Sequence, residues 1–121
     1  MRILLVIAGL MGASGVAVEA AAAHAYPGAG LDSAGRMLLV HAAALAAVTA
    51  ALDRALLARG LGMLAAAGMV VGTFLFSGDV VLGIFTSWWT FSYAAPTGGI
   101  VLILSWFVVA VAAAAGSTRS I

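Results

Sequence analysis

The sequence predicts an all-α integral membrane protein, a bundle of four transmembrane helices that forms a single domain over residues 1–121. Hydrophobic residues make up 65% of the chain and charged residues 7%, whereas about a quarter of an ordinary soluble domain is charged. The apolar residues fall into four runs, and each run approaches the roughly 20 residues that cross a bilayer. Four crossings leave little chain for a soluble domain.

The first helix is predicted near residues 3–25. Arg2 followed by an apolar run also resembles a secretory signal peptide, whose apolar core is about 7–15 residues long. The run here continues for about 20 residues, the length of a membrane crossing. We therefore expect an uncleaved membrane anchor.

The second and third helices are predicted near residues 34–52 and 61–85. Pro27 blocks continuation of the first helix, and Asp32 or Ser33 is expected to cap the second. A short charged hairpin, Asp53-Arg54 through Arg59-Gly60, separates the second helix from the third.

The fourth helix is predicted near residues 97–115, with Pro96 in its first turn, where proline is tolerated. The stretch before it, residues 86–93, is aromatic and uncharged, as is typical of a membrane interface. A quinone or lipid-headgroup site is the alternative there. Its aromatic residues are Trp88, Trp89, Phe91 and Tyr93.

The arginines predict the orientation, because short cytoplasmic loops carry an excess of positive residues. Only Arg36 falls on the side opposite the other four, so both termini are expected in the cytoplasm. The four are Arg2, Arg54, Arg59 and Arg119. No clear sequence repeat is visible, although two helical hairpins of similar length make an inverted duplication conceivable.

Recognised catalytic motifs are missing from the sequence. HExxH, P-loop and GxSxG patterns do not occur, and the lack of cysteine excludes disulfides and thiolate metal sites. A net charge of +1 argues against nucleic-acid binding. We therefore expect a protein that is not an enzyme.

An ionisable side chain within an apolar span is energetically unfavourable in the bilayer, so each such residue is a candidate for a functional site. Glu19, His41 and Asp79 each lie six or seven residues from the predicted outer end of a helix, or roughly 9–10 Å deep. Arg36 lies one turn farther out. The sequence therefore predicts a buried polar cluster in the outer half of the bundle.

The two carboxylates share helix faces with small residues, which mark helix contacts in membranes. Glu19 aligns with Gly12 and Gly15, and Asp79 aligns with Gly72 and Gly83. Three interpretations stay open. The polar groups of the cluster only hydrogen-bond to one another and set the helix register; they move protons or ions; or they dock against charged residues of another membrane subunit.

No cofactor is required by the sequence. His24 is expected at the interface, and a haem held by both His24 and His41 has poor geometry, because their depths differ by about 9 Å. A single axial ligand for a haem or pigment, His41, stays as an alternative.

Several short motifs in order along the chain carry a family resemblance. They are Ala23-His24, His41 with Leu45, Gly72-Thr73-x-Leu75-Phe76-Ser77-Gly78, and Pro96-x-Gly98-Gly99 with Trp106. The chain resembles small bacterial inner-membrane proteins classed as a domain of unknown function, which are related to a small mitochondrial transmembrane protein. The resemblance implies four helices and no established activity.

Two candidate residues depart from that family. Glu19 and a run of alanines stand where the family usually has glycines, and Asp79 stands where it has a second serine. We therefore expect a small structural or accessory subunit that packs against a larger membrane complex, for example one of energy metabolism, or against itself. The alternative is a small oligomeric transporter or proton-conducting protein that uses Glu19, His41 and Asp79.

Overall fold

The computed structural model describes residues 1–86 and 93–116, and within these ranges the chain forms four α-helices. Each helix is long and apolar enough to cross a membrane, so the predicted fold class of a multi-pass helical membrane protein is confirmed. The side of the membrane on which the termini lie stays a prediction. The helices are α1 (Arg2–His24), α2 (Leu31–Asp53), α3 (Arg59–Phe85) and α4 (Ala94–Ala114).

Helix α2 begins three residues earlier than predicted, at Leu31. Gly28 and Gly30 have φ angles of 78° and 85°, a left-handed conformation that glycine adopts without steric cost. The turn therefore ends at Gly30, which is the N-cap residue of α2, and no side chain forms a capping hydrogen bond there. The prediction that Asp32 or Ser33 caps α2 was therefore wrong.

The ends of the other helices agree with the sequence within a few residues. Pro96 is the third residue of α4, within the first turn, where a backbone N–H needs no helical partner. The turn between α2 and α3 is held to the far end of α4, because the Ala58 N–H donates to the Ala112 carbonyl at 2.8 Å. Trp88, Trp89, Phe91 and Arg119 lie outside the described residues.

Neighbouring helices pack in chain order and run antiparallel. We refer to α1 and α2 as the first hairpin and to α3 and α4 as the second hairpin. Helix α2 lies at the centre, between α1 and α3. In the most apolar 18-residue stretch of each helix, 50% of the residues are buried for α2, compared with 17% for α1 and 22% for both α3 and α4. Most of the surface of the outer helices is therefore left for lipid or for other proteins.

The two hairpins run in the same direction. Helices α1 and α3 are parallel because each is antiparallel to α2, so α3 repeats the direction of α1. A repeat with an even number of helices returns the chain to the side on which it started. The inverted duplication that the sequence made conceivable is therefore excluded for these hairpins, because an inverted repeat would run in the opposite direction.

Candidate functional site

His41 lies at the centre of the bundle with both ring nitrogens engaged. It is 4% exposed. Its Nδ1 lies 2.9 Å from the Met37 carbonyl oxygen, and the Trp106 indole N–H donates to its Nε2 at 3.2 Å. A carbonyl only accepts and an indole only donates. These partners assign a neutral imidazole with its proton on Nδ1.

The contact between His41 and Trp106 joins α2 to α4 across the bundle. The two ring centroids are 6.0 Å apart and the planes meet at 60°. A haem or pigment bound through Nε2 would need the lone pair that accepts the indole proton, so this geometry argues against His41 as an axial ligand. His24 is exposed and is the last residue of α1.

Glu19 packs against the first part of α2, at the contact between α1 and α2. A Cβ atom added to Gly35 would lie 2.8 Å from Cγ of Glu19 and 3.1 Å from its Cδ. The Glu19 side chain is half-buried. Within residues 1–86 and 93–116 its carboxylate has no hydrogen bond or ion pair.

The packing of α3 against α4 indicates where Asp79 lies. Gly72 faces Leu102 there, and Gly98 lies against the backbone of Phe76. Continuing this antiparallel register by one turn places Asp79 opposite the first turn of α4. The N-terminal end of a helix favours a negative charge. Asp79 is half-buried and, in the described part of the chain, forms no hydrogen bond or ion pair.

No hydrogen bond or ion pair joins Glu19, His41 and Asp79 to one another in the described residues, in contrast to the predicted cluster. Glu19 lies at the contact between α1 and α2, whereas the register of the second hairpin directs Asp79 toward α4. His41 is six residues along α2 from Gly35, the residue that Glu19 contacts, which makes it about 9 Å deeper. The predicted depth of His41 was wrong because α2 begins at Leu31. Similar depth also says nothing about the direction in which a side chain points.

Arg36 lies outside the bundle rather than in a buried cluster. Its Nη2 is 3.5 Å from the Asp32 carboxylate one turn earlier, and the two side chains are 69% and 56% exposed. Such exposed pairs contribute about 0–1 kcal/mol. Its exposed position therefore does not support the prediction that Arg36 belongs to the buried polar cluster.

Two of the remaining motif residues hold helices together. The Ser77 hydroxyl donates to the Ala34 carbonyl at 2.9 Å, which connects α3 to α2. A Cβ atom at Gly98 would lie 2.6 Å from the Phe76 nitrogen and 2.7 Å from the Gly72 oxygen, so α3 and α4 meet backbone to backbone. Glycine is required at Gly98 for this approach.

Three other motif residues lie away from helix contacts. A Cβ atom at Gly78 or Gly99 would have no atom within 4 Å among its described neighbours. Pro96 is exposed in the first turn of α4. These residues are available to lipid or to another protein.

A groove, which the sequence did not predict, lies between α1 and α3. We call it the α1–α3 groove. Its volume is about 350 Å³, and Leu38 of α2 lies at its base. Residues on its α1 side are Ile7, Leu10, Met11, Ser14 and Val18; those on its α3 side are Val70, Thr73, Phe74, Ser77, Gly78 and Val81.

The groove has a buried floor and an exposed rim. Met11 and Thr73 are 2% and 0% exposed, whereas Leu10, Ser14 and Phe74 are exposed at the rim. The small residues Thr73, Ser77 and Gly78 recur at helical spacing on α3 and are a sequence signal for this groove. The spacing does not indicate which helix they face.

The Thr73 hydroxyl differs from the other buried hydroxyls. Its Oγ1 is buried without a hydrogen-bond partner in the described ranges. Thr49 and Ser105 each donate to the carbonyl four residues earlier at 2.7 Å, and Ser77 donates across to α2. Buried hydroxyls normally find such partners, so Thr73 requires an explanation.

Over residues 1–86 and 93–116, no three His, Asp or Glu side chains lie close enough to hold a metal ion. Inside the bundle, the described chain pairs the side chains of His41 and Trp106, and Ser14, Thr73 and Ser77 line the α1–α3 groove.

Comparison with known proteins gives a family and no function. No curated protein and no solved structure matches the chain. Residues 8–99 match a family described as "Protein of unknown function (DUF423)". This match covers most of α1, all of α2 and α3 and the start of α4, including the Ser77-Gly78 and Gly98 positions. The chain therefore belongs to the DUF423 family.

Proposed function

We propose that this protein is a non-enzymatic subunit of the bacterial inner membrane that packs side by side with a transmembrane helix of a larger membrane protein. The α1–α3 groove is the observation that carries this proposal. It is concave, apolar and about 350 Å³ in volume, and it opens on the outside of the bundle.

The composition of the groove favours a helix as its occupant. Association within a bilayer depends on close van der Waals contact and hydrogen bonding, because lipid tails are as apolar as the helices themselves. Small residues permit such close contact. The groove offers Ser14, Ser77 and Gly78, and no described atom lies within 4 Å of a Cβ placed at Gly78.

Proton conduction, the alternative function, has weaker support. A proton path needs titratable groups within hydrogen-bond or one-water reach of one another. In the described residues no hydrogen bond or ion pair joins Glu19 to Asp79. Both ring nitrogens of His41 are occupied by Met37 and Trp106. Nothing in this arrangement favours a role in transport.

Site-directed photo-crosslinking in native membranes, followed by purification of the tagged chain, tests the proposal. Because the sequence has no cysteine, an introduced thiol is the only one in this chain. Leu10→Cys at the groove rim and Ile103→Cys on the exposed face of α4 form a matched pair, because these positions are 65% and 59% exposed. Each variant is labelled with a maleimide photo-crosslinker and irradiated in the membrane.

We expect a discrete protein adduct from Leu10→Cys and only lipid or heterogeneous adducts from Ile103→Cys. Mass spectrometry then identifies the protein crosslinked at position 10. Equal adduct patterns from the two positions, or lipid adducts alone from position 10, would refute lateral packing through the groove.

A further inference from the structure

The α1–α3 groove contains two hydroxyl groups near the middle of the membrane. Thr73 is the fifteenth of the 27 residues of α3, and Ser14 is the thirteenth of the 23 residues of α1. At about 1.5 Å per residue, both lie within about 3 Å of the midpoint of their helix. They therefore lie close to the bilayer midplane, on opposite sides of one groove.

Neither hydroxyl has a hydrogen-bond partner in the described part of the protein. Thr73 is 0% exposed and its Oγ1 is unpaired. Ser14 is exposed at the rim, and no hydrogen bond is formed by its side chain within residues 1–86 and 93–116. An unpaired polar group in hydrocarbon is unfavourable.

The depth of these hydroxyls selects the chemistry of the occupant. Phospholipid headgroups begin about 15 Å from the midplane, at the edge of the hydrocarbon core, and lipid tails offer no hydrogen-bonding atom in between. The side chain of a transmembrane helix can carry a polar group at this depth. An amide is well suited, since its oxygen accepts and its nitrogen donates.

We propose that the α1–α3 groove recognises a transmembrane helix of another protein that carries an asparagine or glutamine near its midpoint. Ser14, exposed at the rim, meets the amide first. The amide oxygen accepts from the buried Thr73 hydroxyl once the rim side chains of Leu10 and Phe74 move aside. This inference rests on the proposed function, because it specifies the chemistry of the helix that packs in the groove.

The test uses synthetic transmembrane peptides as probes for the full-length protein. One peptide is built of leucine and alanine with a single central asparagine, and its control has leucine at that position. Association with donor-labelled protein in lipid vesicles is measured by energy transfer. The protein is prepared as wild type, Thr73→Val and Thr49→Val.

We expect the wild type to bind the asparagine peptide about three- to tenfold more tightly than the leucine peptide, the range of interhelical hydrogen bonds measured in membranes. Thr73→Val abolishes this preference. Thr49→Val retains it, because the Thr49 hydroxyl is already committed to the Leu45 carbonyl and lies on α2 outside the groove.

Two results would overturn the inference. Equal binding of both peptides to the wild type would show that the groove does not recognise a polar group, while helix docking itself could still hold. An asparagine preference that survives in Thr73→Val would place recognition elsewhere. Crosslinking at position 10 judges the proposed function separately, so the failure of one is distinguishable from the failure of the other.

Discussion

The two hairpins use the same register but fill their helix contacts differently. Positions 60 residues apart correspond, and this pairs Glu19 with Asp79 and Gly12 with Gly72. In the first hairpin, the atoms nearest to the contact glycines belong to side chains, such as Leu39 at Gly15, and backbone nitrogens lie at 3.0–3.1 Å. In the second hairpin, the atoms nearest to Gly98 belong to the backbone, at 2.6 and 2.7 Å.

This difference predicts how much each hairpin tolerates. A side chain can rotate away from an added methyl group, whereas a packed backbone moves only if the whole helix shifts. The second hairpin should therefore be the more sensitive to substitution of its contact glycines. The first hairpin should adapt at a smaller cost.

The largest effect is expected for Gly98→Ala. Its methyl group would lie 2.6 Å from the Phe76 nitrogen and 2.7 Å from the Gly72 oxygen, so the free energy of unfolding should fall by about 3 kcal/mol. Thermal unfolding in detergent, followed by circular dichroism, measures it. Gly99→Ala is the control, because its methyl group meets no described atom; equal losses in both variants would contradict the close contact.

A smaller loss, about 1–2 kcal/mol, is expected for Gly15→Ala. The added methyl group would lie 2.8 Å from Cγ of Leu39 and 3.0 Å from its backbone nitrogen. The Leu39 side chain can give way, although the nitrogen cannot. Gly9→Ala, at an open position of the same helix, should lose nothing. A loss for Gly15→Ala as large as that for Gly98→Ala would remove the contrast between the hairpins.

The hydrogen bond from Trp106 to His41, which joins the two hairpins, should contribute about 0.6–1.7 kcal/mol. Trp106→Phe keeps an aromatic ring but removes the N–H that donates to His41. A double-mutant cycle with His41→Ala, measured by chemical unfolding, isolates the coupling between the two side chains. Strictly additive losses would indicate that the indole and the imidazole do not interact.

Loss of the contact between α2 and α3 should have a similar or smaller effect. Ser77→Ala removes the hydroxyl that donates to the Ala34 carbonyl at 2.9 Å, and about 0.5–1 kcal/mol of stability should be lost. The melting temperature of purified protein is the measurement. An unchanged melting temperature would show that this bond adds nothing to the joining of the hairpins.

The smallest effect, and the only one of opposite sign, is expected for Thr73→Val. The isosteric change removes an unpaired buried hydroxyl, so the isolated protein should keep its stability or gain up to about 1 kcal/mol. The same unfolding assay compares it with Ser77→Ala. Marked destabilisation by Thr73→Val would mean that its hydroxyl already has a structural partner.

Much of the fold was predictable from local features. Apolar runs of crossing length and turns marked by Pro27 and Asp53-Arg54 locate the helices within a few residues. The start of α2 was missed because the conformation of Gly28 and Gly30, rather than a polar cap, ends the turn. A glycine in the sequence permits a left-handed conformation but does not show that the residue adopts it.

The candidate site was less predictable. Sequence spacing places Glu19 and Asp79 on glycine-bearing faces, and Glu19 does lie against Gly35 of α2. The spacing did not reveal that the Trp106 indole donates a hydrogen bond to His41. A helical period gives the face of one helix, but the neighbour that this face meets depends on how all four helices are arranged.

By itself, the sequence determined the membrane environment, the number of helices and the glycine-bearing faces, because hydrophobicity and helical period act within one segment. Only the tertiary structure decided the parallel relation of the hairpins, the tautomer of His41 and the α1–α3 groove with its unpaired Thr73 hydroxyl. These features arise between segments distant in the chain. Their physical cause is the packing of side chains and backbones from different helices, which no single run of residues encodes.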